Sequence, residues 1–100
     1  MPTLMNVPVA LINMDGPQLQ PEQREQQLPL VVRSMMEHGF VVGESDQNRL
    51  DVVIFTDEYR NEVRYRLMHG RLRYLAAIDA GLTEVPCRVL TATEAEKWNV

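Results

Sequence analysis

The chain has one cysteine, Cys87, among its 100 residues, so no internal disulfide can brace it. A lone cysteine fits a reducing compartment. No apolar run approaches the ~20 residues that a membrane span needs. The opening MPTLMNVP has no basic region ahead of a long apolar segment, so a secretory leader is not expected. A cytoplasmic location without membrane attachment is the expectation. Positive charge is also in deficit: ten Lys and Arg stand against fourteen Asp and Glu, for a net charge of −4. Duplex DNA binding ordinarily goes with a basic domain, so overall charge speaks against a DNA-binding regulator. His38, His69 and Cys87 lie too far apart for a zinc signature, and no metal site is expected from them. There are no repeats and no low-complexity segment.

The composition is that of a globular protein, 45% hydrophobic and 24% charged, and residues 1–100 make one domain with room for one modest core. Residues 6–12, NVPVALI, read as a first strand, with Pro8 favouring an edge or a strand start. A loop rich in Gln, Pro and Gly follows over 13–23. From about Arg24 to His38 the pattern is helical, with Leu28, Val31 or Val32, Met35 and Met36 on the core side, Pro29 in the first regular turn and Gly39 as the stop. Residues 43–49 are a polar loop. Residues 50–56 and 63–69 read as a hairpin, the second strand placing Val63, Tyr65, Leu67 and His69 on one face and Arg64, Arg66 and Met68 on the other. A helix over 71–80 has Leu75, Ile78 and Leu82 as core contacts and ends at Gly81. A strand over 85–90 follows, then a short helix capped by Thr91 or Thr93. The order strand, helix, strand, strand, helix, strand, short helix defines a small mixed domain.

Basic residues concentrate in one place. Arg60, Arg64, Arg66, Arg71 and Arg73 fall within fourteen residues, with His69 among them. A local positive site on an acidic chain suits a compact anion better than a long polyanion. Arg60, Arg64 and Arg66 also fit the plainer role of solvated charges along a strand. Gly70 sits between a strand and a helix. The first N–H groups of a helix lack intrahelical partners and carry the positive end of its dipole. A phosphate placed there gains several hydrogen bonds, and a glycine lets the backbone approach it closely. Arg73 in the first turn can add a charge-assisted fork, with Arg71 as a secondary contact.

The run Gly70, Arg73, Ala76, Ala77, Gly81, Leu82, Val85 and Pro86 resembles the central motif of the ParB/sulfiredoxin superfamily: a strand, G-x-x-R-x-x-A-A, a helix ending in Gly-Leu, then an x-x-V/I-P strand. The opening strand, the QPEQR loop and the helix ending MMEHGF are similar to the start of ParB N-terminal domains. The resemblance implies an α+β fold, a small mixed sheet with helices packed on it. It also implies a pocket in which Gly70 and Arg73 hold nucleotide phosphates. Members bind CTP or ATP with Mg²⁺, some hydrolyse it, and some act as nucleases. ParB proteins usually show Gly-Glu-Arg-Arg where this chain has Gly70-Arg71-Leu72-Arg73. Sulfiredoxins place their catalytic cysteine directly after the glycine, where Arg71 stands here, so sulfiredoxin chemistry is not expected. A complete chromosome-partition protein is not expected in 100 residues either.

Other residues carry weaker readings. Cys87 in an apolar strand reads as an inert core thiol. His38 suits a helix C-terminus, whereas His69, at the strand's mouth, is either a strand histidine or an acid–base group beside a phosphate. Asp15, Glu44, Asp46 and Asp57 are loop acids able to bind Mg²⁺ beside a nucleotide. Met35-Met36 reads as core filling and Trp98 as packing for the last helix. Two functions follow. One is a nucleotide- or nucleic-acid-phosphate-binding domain with NTPase or nuclease activity. The other is a catalytically inactive small interaction protein, of phage or plasmid type, that binds a protein partner through an acidic surface.

Overall fold

The computed structural model describes residues 2–16 and 18–98, the side chain of Trp98 excepted, so the packing expected for Trp98 lies outside the described residues. Strands β1 (Thr3–Pro8), β2 (Ile12–Asn13), β3 (Leu50–Asp57), β4 (Glu62–His69) and β5 (Glu84–Leu90) form one mixed sheet in the order β1-β5-β3-β4-β2. Helices α1 (Leu28–His38) and α2 (Arg71–Asp79) pack together over the main core, and α3 (Ala92–Trp98) covers a smaller cluster of Val53, Leu90 and Ala95. The β3–β4 hairpin is antiparallel, β5 runs parallel to β3, and β1 closes one edge antiparallel to β5.

The first predicted strand is two strands on opposite edges. Three residues, Val9–Leu11, form a 3₁₀ turn between β1 and β2. The four residue steps from Pro8 to Ile12 reach at most about 14 Å, whereas the outer strands of a flat five-stranded sheet lie about 19 Å apart. The sheet therefore curls until its edges approach. Arg64 holds this crossing. Its guanidinium donates to the Asn13 side chain at 2.9 Å and the Ala10 carbonyl at 3.0 Å, and pairs with Glu62 at 2.7 Å. Tyr74 Oη adds a bond to the Ile12 carbonyl at 3.3 Å. Arg64 is thus a structural residue and not a solvated charge, unlike Arg60, which lies exposed beside Asp57.

The first helix starts as a π-helical segment, Gln23–Gln27, and becomes regular at Leu28 with Pro29 in its first turn. Leu28 and Met35 are buried, but Met36 is 70% exposed. The stripe is centred on Leu28, Val31 and Met35, and Met36 falls one residue past it. On α2 the fully buried residues are Ala76 and Ala77, with Tyr74 beside them. These small residues let the helix settle on its alanine side. That leaves Leu75 and Leu82 against the core and turns Ile78 outward, 43% exposed. The Thr91 hydroxyl accepts the Glu94 N–H while Glu94 accepts the Thr91 N–H, a reciprocal capping box for α3.

The alternation expected along β4 fails at its end. Val52 faces Leu67 but Asp51 faces His69, so two steps of β4 match one of β3. This bulge moves His69 off the core face of Tyr65 and Leu67 and beside Asp51.

Arg64→Met keeps length and removes the bonds across the Val9–Leu11 crossing. Urea unfolding is expected to show a loss of about 1–3 kcal/mol, the cost of leaving such partners unpaired.

Candidate phosphate site

Gly70 is the N-cap of α2, with φ +102°. A Cβ there would lie 2.5 Å from Leu50 Cδ2, so only glycine fits this joint without displacement. Tyr74 N–H is the first to reach an intrahelical acceptor, the Gly70 carbonyl at 2.9 Å. Arg71, Leu72 and Arg73 precede it, and among the described residues no side chain caps their N–H groups. They open on a concavity of about 440 Å³ lined by Gln18, Leu19, Gln20 and Gln23 on one side and by residues 68–73 on the other.

The loop wall is held in place by arginines. Arg71 Nη2 donates to the Asp15 carbonyl at 2.6 Å, and Arg66 lies 4.0 Å from the Asp15 carboxylate. Gly16, with φ +98°, sits so close that a Cβ would come within 2.6 Å of Arg71 Nη2. Arg71 Nε is buried without a hydrogen-bond partner among the described residues. Arg73 is exposed, lines the concavity and makes no hydrogen bond or ion pair among the described residues. His69 also lines it, its Nδ1 3.2 Å from Asp51 Oδ2. The structure therefore brings Gly70, Arg71, Arg73 and His69 to one concavity. Asp51, which strand spacing over 50–56 does not single out, joins them through the bulge.

The other candidates stand apart. Asp46 pairs with Arg49 at 2.7 Å, and Asp57 accepts the N–H groups of Tyr59 and Arg60 in the hairpin turn. Among the described residues no three His, Cys, Asp and Glu side chains converge as a metal site. His38 is exposed at the end of α1, 3.7 Å from Glu37. Cys87 is fully buried, and burial pushes its thiol pKa up to about 12. Burial raises Tyr74 as well, opposed by the Arg64 charge. No helix of the described residues is long and apolar enough to cross a membrane.

No family model and no curated protein matches the sequence. Solved structures do match. The C-terminally truncated chromosome-partitioning protein ParB from Caulobacter crescentus, complexed with CTP-γ-S, has a TM-score of 0.67 at 23% identity over 96% of this chain and 49% of that one. The same ParB complexed to the centromeric parS site gives 0.59 at 18%, over 95% and 44%. Sulfiredoxin from Arabidopsis thaliana gives 0.59 at 19%, over 99% of both chains. The fold is ParB/sulfiredoxin-like, an α+β domain with helices on a five-stranded mixed sheet. The chain spans about half the length of the ParB chains it matches.

Two outcomes are expected here. Gly70→Ala should cost about 1–3 kcal/mol in urea unfolding. In a Leu50→Val background the penalty should shrink without vanishing, because the clash is relieved but the positive φ is not. For Cys87 and Tyr74 the folded pKa lies above the unfolded one, so above pH ~9 the unfolded chain releases protons that the folded chain keeps. Stability is then full below pH ~9 and falls as pH climbs toward 12. Urea midpoints from pH 7 to 11 should decline, and Cys87→Ala should flatten the early part of the decline.

Proposed function

We propose that the chain is a ParB-like domain that binds a nucleotide, or the phosphate of a nucleic acid, at the start of α2. The observation that carries this reading is the joint itself. Among the described residues, three helix N–H groups without a side-chain cap stand beside Arg73, which has no partner there, in a concavity whose floor, Gly70, admits no side chain. The residues fit an anionic group of phosphate size: the amides of residues 71–73 donate along the helix axis, and Arg73 supplies full charge and a planar fork. Arg71, its Nη2 engaged by Asp15, closes the loop wall and lends its field from the side. The ParB structure with CTP-γ-S supports the nucleotide version, with CTP or ATP as ligand, and the parS complex supports the nucleic-acid version. Without a carboxylate cluster among the described residues, Mg²⁺ would enter on the ligand's own phosphates.

A second reading, an inactive interaction protein, has one observation in its favour. An apolar groove of about 600 Å³ runs along α1 past Leu28, Val32 and Met36 to Asp79, with Leu30 exposed nearby.

Calorimetric titration of ATP, CTP, GTP and a short single-stranded DNA, with Mg²⁺, separates the two. Wild type should bind at least one of them. Arg73→Ala, folded by circular dichroism, should bind it roughly 10–100-fold more weakly, the worth of a charge-assisted bond. No binding to any of the four would leave the arginines as solvated surface and favour the protein partner.

A further inference from the structure

Phosphate binding makes no use of the pair formed by Asp51 and His69. Three strands place one residue each in a row: Arg88 on β5 is the register partner of Asp51 on β3, and Asp51 is the partner of His69 on β4. Arg88 Nη1 lies 3.6 Å from Asp51 Oδ1, and Arg88 Nη2 donates to the Asp46 carbonyl at 3.3 Å. The Asp51 side chain is only 14% exposed, and its Oδ1 is buried with no hydrogen-bond partner among the described residues. Its Oδ2 faces His69 Nδ1 at 3.2 Å. His69 itself is 60% exposed and lines the concavity at Gly70. A carboxylate held on one side by an arginine and aimed on the other at an exposed imidazole fixes the ring's orientation.

We propose that Asp51 and His69 are the acid–base pair of this site, acting in hydrolysis of a phosphate ester or anhydride. The proposal rests on the phosphate reading above. Asp51 is the positioning residue: it accepts the Nδ1–H, which leaves Nε2 as the basic nitrogen. Nε2 has no hydrogen-bond partner among the described residues. A water oxygen bonds to phosphorus as its proton passes to Nε2. The bond from phosphorus to the leaving oxygen breaks, and that oxygen takes the proton from the imidazolium. One water is consumed, one P–O bond forms, one breaks, and His69 returns to its neutral form. Arg73 and the amides of residues 71–73 hold the non-bridging oxygens while this happens. The charged groups around His69 are Asp51 on β3, Arg88 beyond it on β5, and Arg71 and Arg73 on α2; the loop wall offers Gln18, Leu19, Gln20 and Gln23, all uncharged.

Two measurements on the full chain test this. Imidazole ¹⁵N shifts should report the Nδ1–H form of His69 in the wild type, with a shift toward the Nε2–H form in Asp51→Asn. Phosphate release from CTP and ATP, and cleavage of a single-stranded oligonucleotide, all with Mg²⁺, should be followed from pH 5.5 to 8.5 beside calorimetric binding of the same probes. Wild-type turnover should rise with pH and then level off, as a general base requires. His69→Gln, a change at an exposed side chain, should bind within about threefold of wild type but lose roughly 10²–10⁴ in kcat. Asp51→Asn should lose kcat with KM kept and its pH profile displaced. An Nε2–H form in the wild type, or full turnover in His69→Gln, would overturn the proposal. Binding without wild-type turnover would overturn it and leave the phosphate reading standing. No binding at all would remove both.

Discussion

Between Pro8 and Ile12 the chain passes from one edge of the sheet to the other, and a flat sheet does not allow that passage. The curl it imposes decides where everything else goes. Because Ile12 and Asn13 lie against Tyr65 and Arg66, the loop that follows must run past the end of β4. There Asp15 meets Arg71 and Arg66, and Gln18 to Gln20 face the start of α2. The concavity is thus the space left between a crossing that has to be short and a helix that has to begin at Gly70. Tyr74 ties the two together, with its ring in the core and its hydroxyl on the Ile12 carbonyl.

The arginines that cluster in the sequence divide by the partners they find. Arg64 is spent on the crossing, with carbonyl, amide and carboxylate acceptors around one guanidinium. Arg66 lies over the Phe55 ring, 5.4 Å from its centroid, and reaches toward Asp15. Arg71 binds the loop wall. Arg73 keeps its donors for solvent or a ligand. A net negative chain can therefore present a local cationic site without a basic face, because among the described residues Arg60, Arg64 and Arg66 each lie within reach of a carboxylate while Arg71 and Arg73 do not.

Much of this architecture was legible. The β-branched run at 50–56 and the alternation at 63–69 announced the hairpin, and Gly39 and Gly81 stood where the helices end. Gly70 and Arg73 could be placed together because a strand–glycine–helix junction is a local pattern. The features that escaped are non-local or small. NVPVALI is one apolar stretch, and only Pro8 hinted that it divides; what divides it is pairing to strands more than fifty residues away. The role of Arg64 depends on Ala10 and Asn13, which no spacing rule connects to it. The bulge that brings His69 to Asp51 adds a single residue at a strand end, and a period of two carries no mark of such a slip. Ile78 and Met36 were assigned inward by helical spacing, but Ala76 and Ala77 chose the face of α2, and the α1 stripe stopped at Met35.

The strand order also bears on how the domain comes into being. Thr3 pairs with Val89, so the first strand made waits for the last, and β5 must enter between β1 and the free edge of β3. During synthesis the hairpin can form early, since its contacts are local, while β1 and the near edge of β3 stay open. A topology weighted toward such distant pairings folds slowly, and its open edges are exposed to other chains in the interval. The crossing that shapes the site thus makes closure of the sheet a late event, and an emerging copy has the greatest chance of joining a neighbour just before β5 arrives.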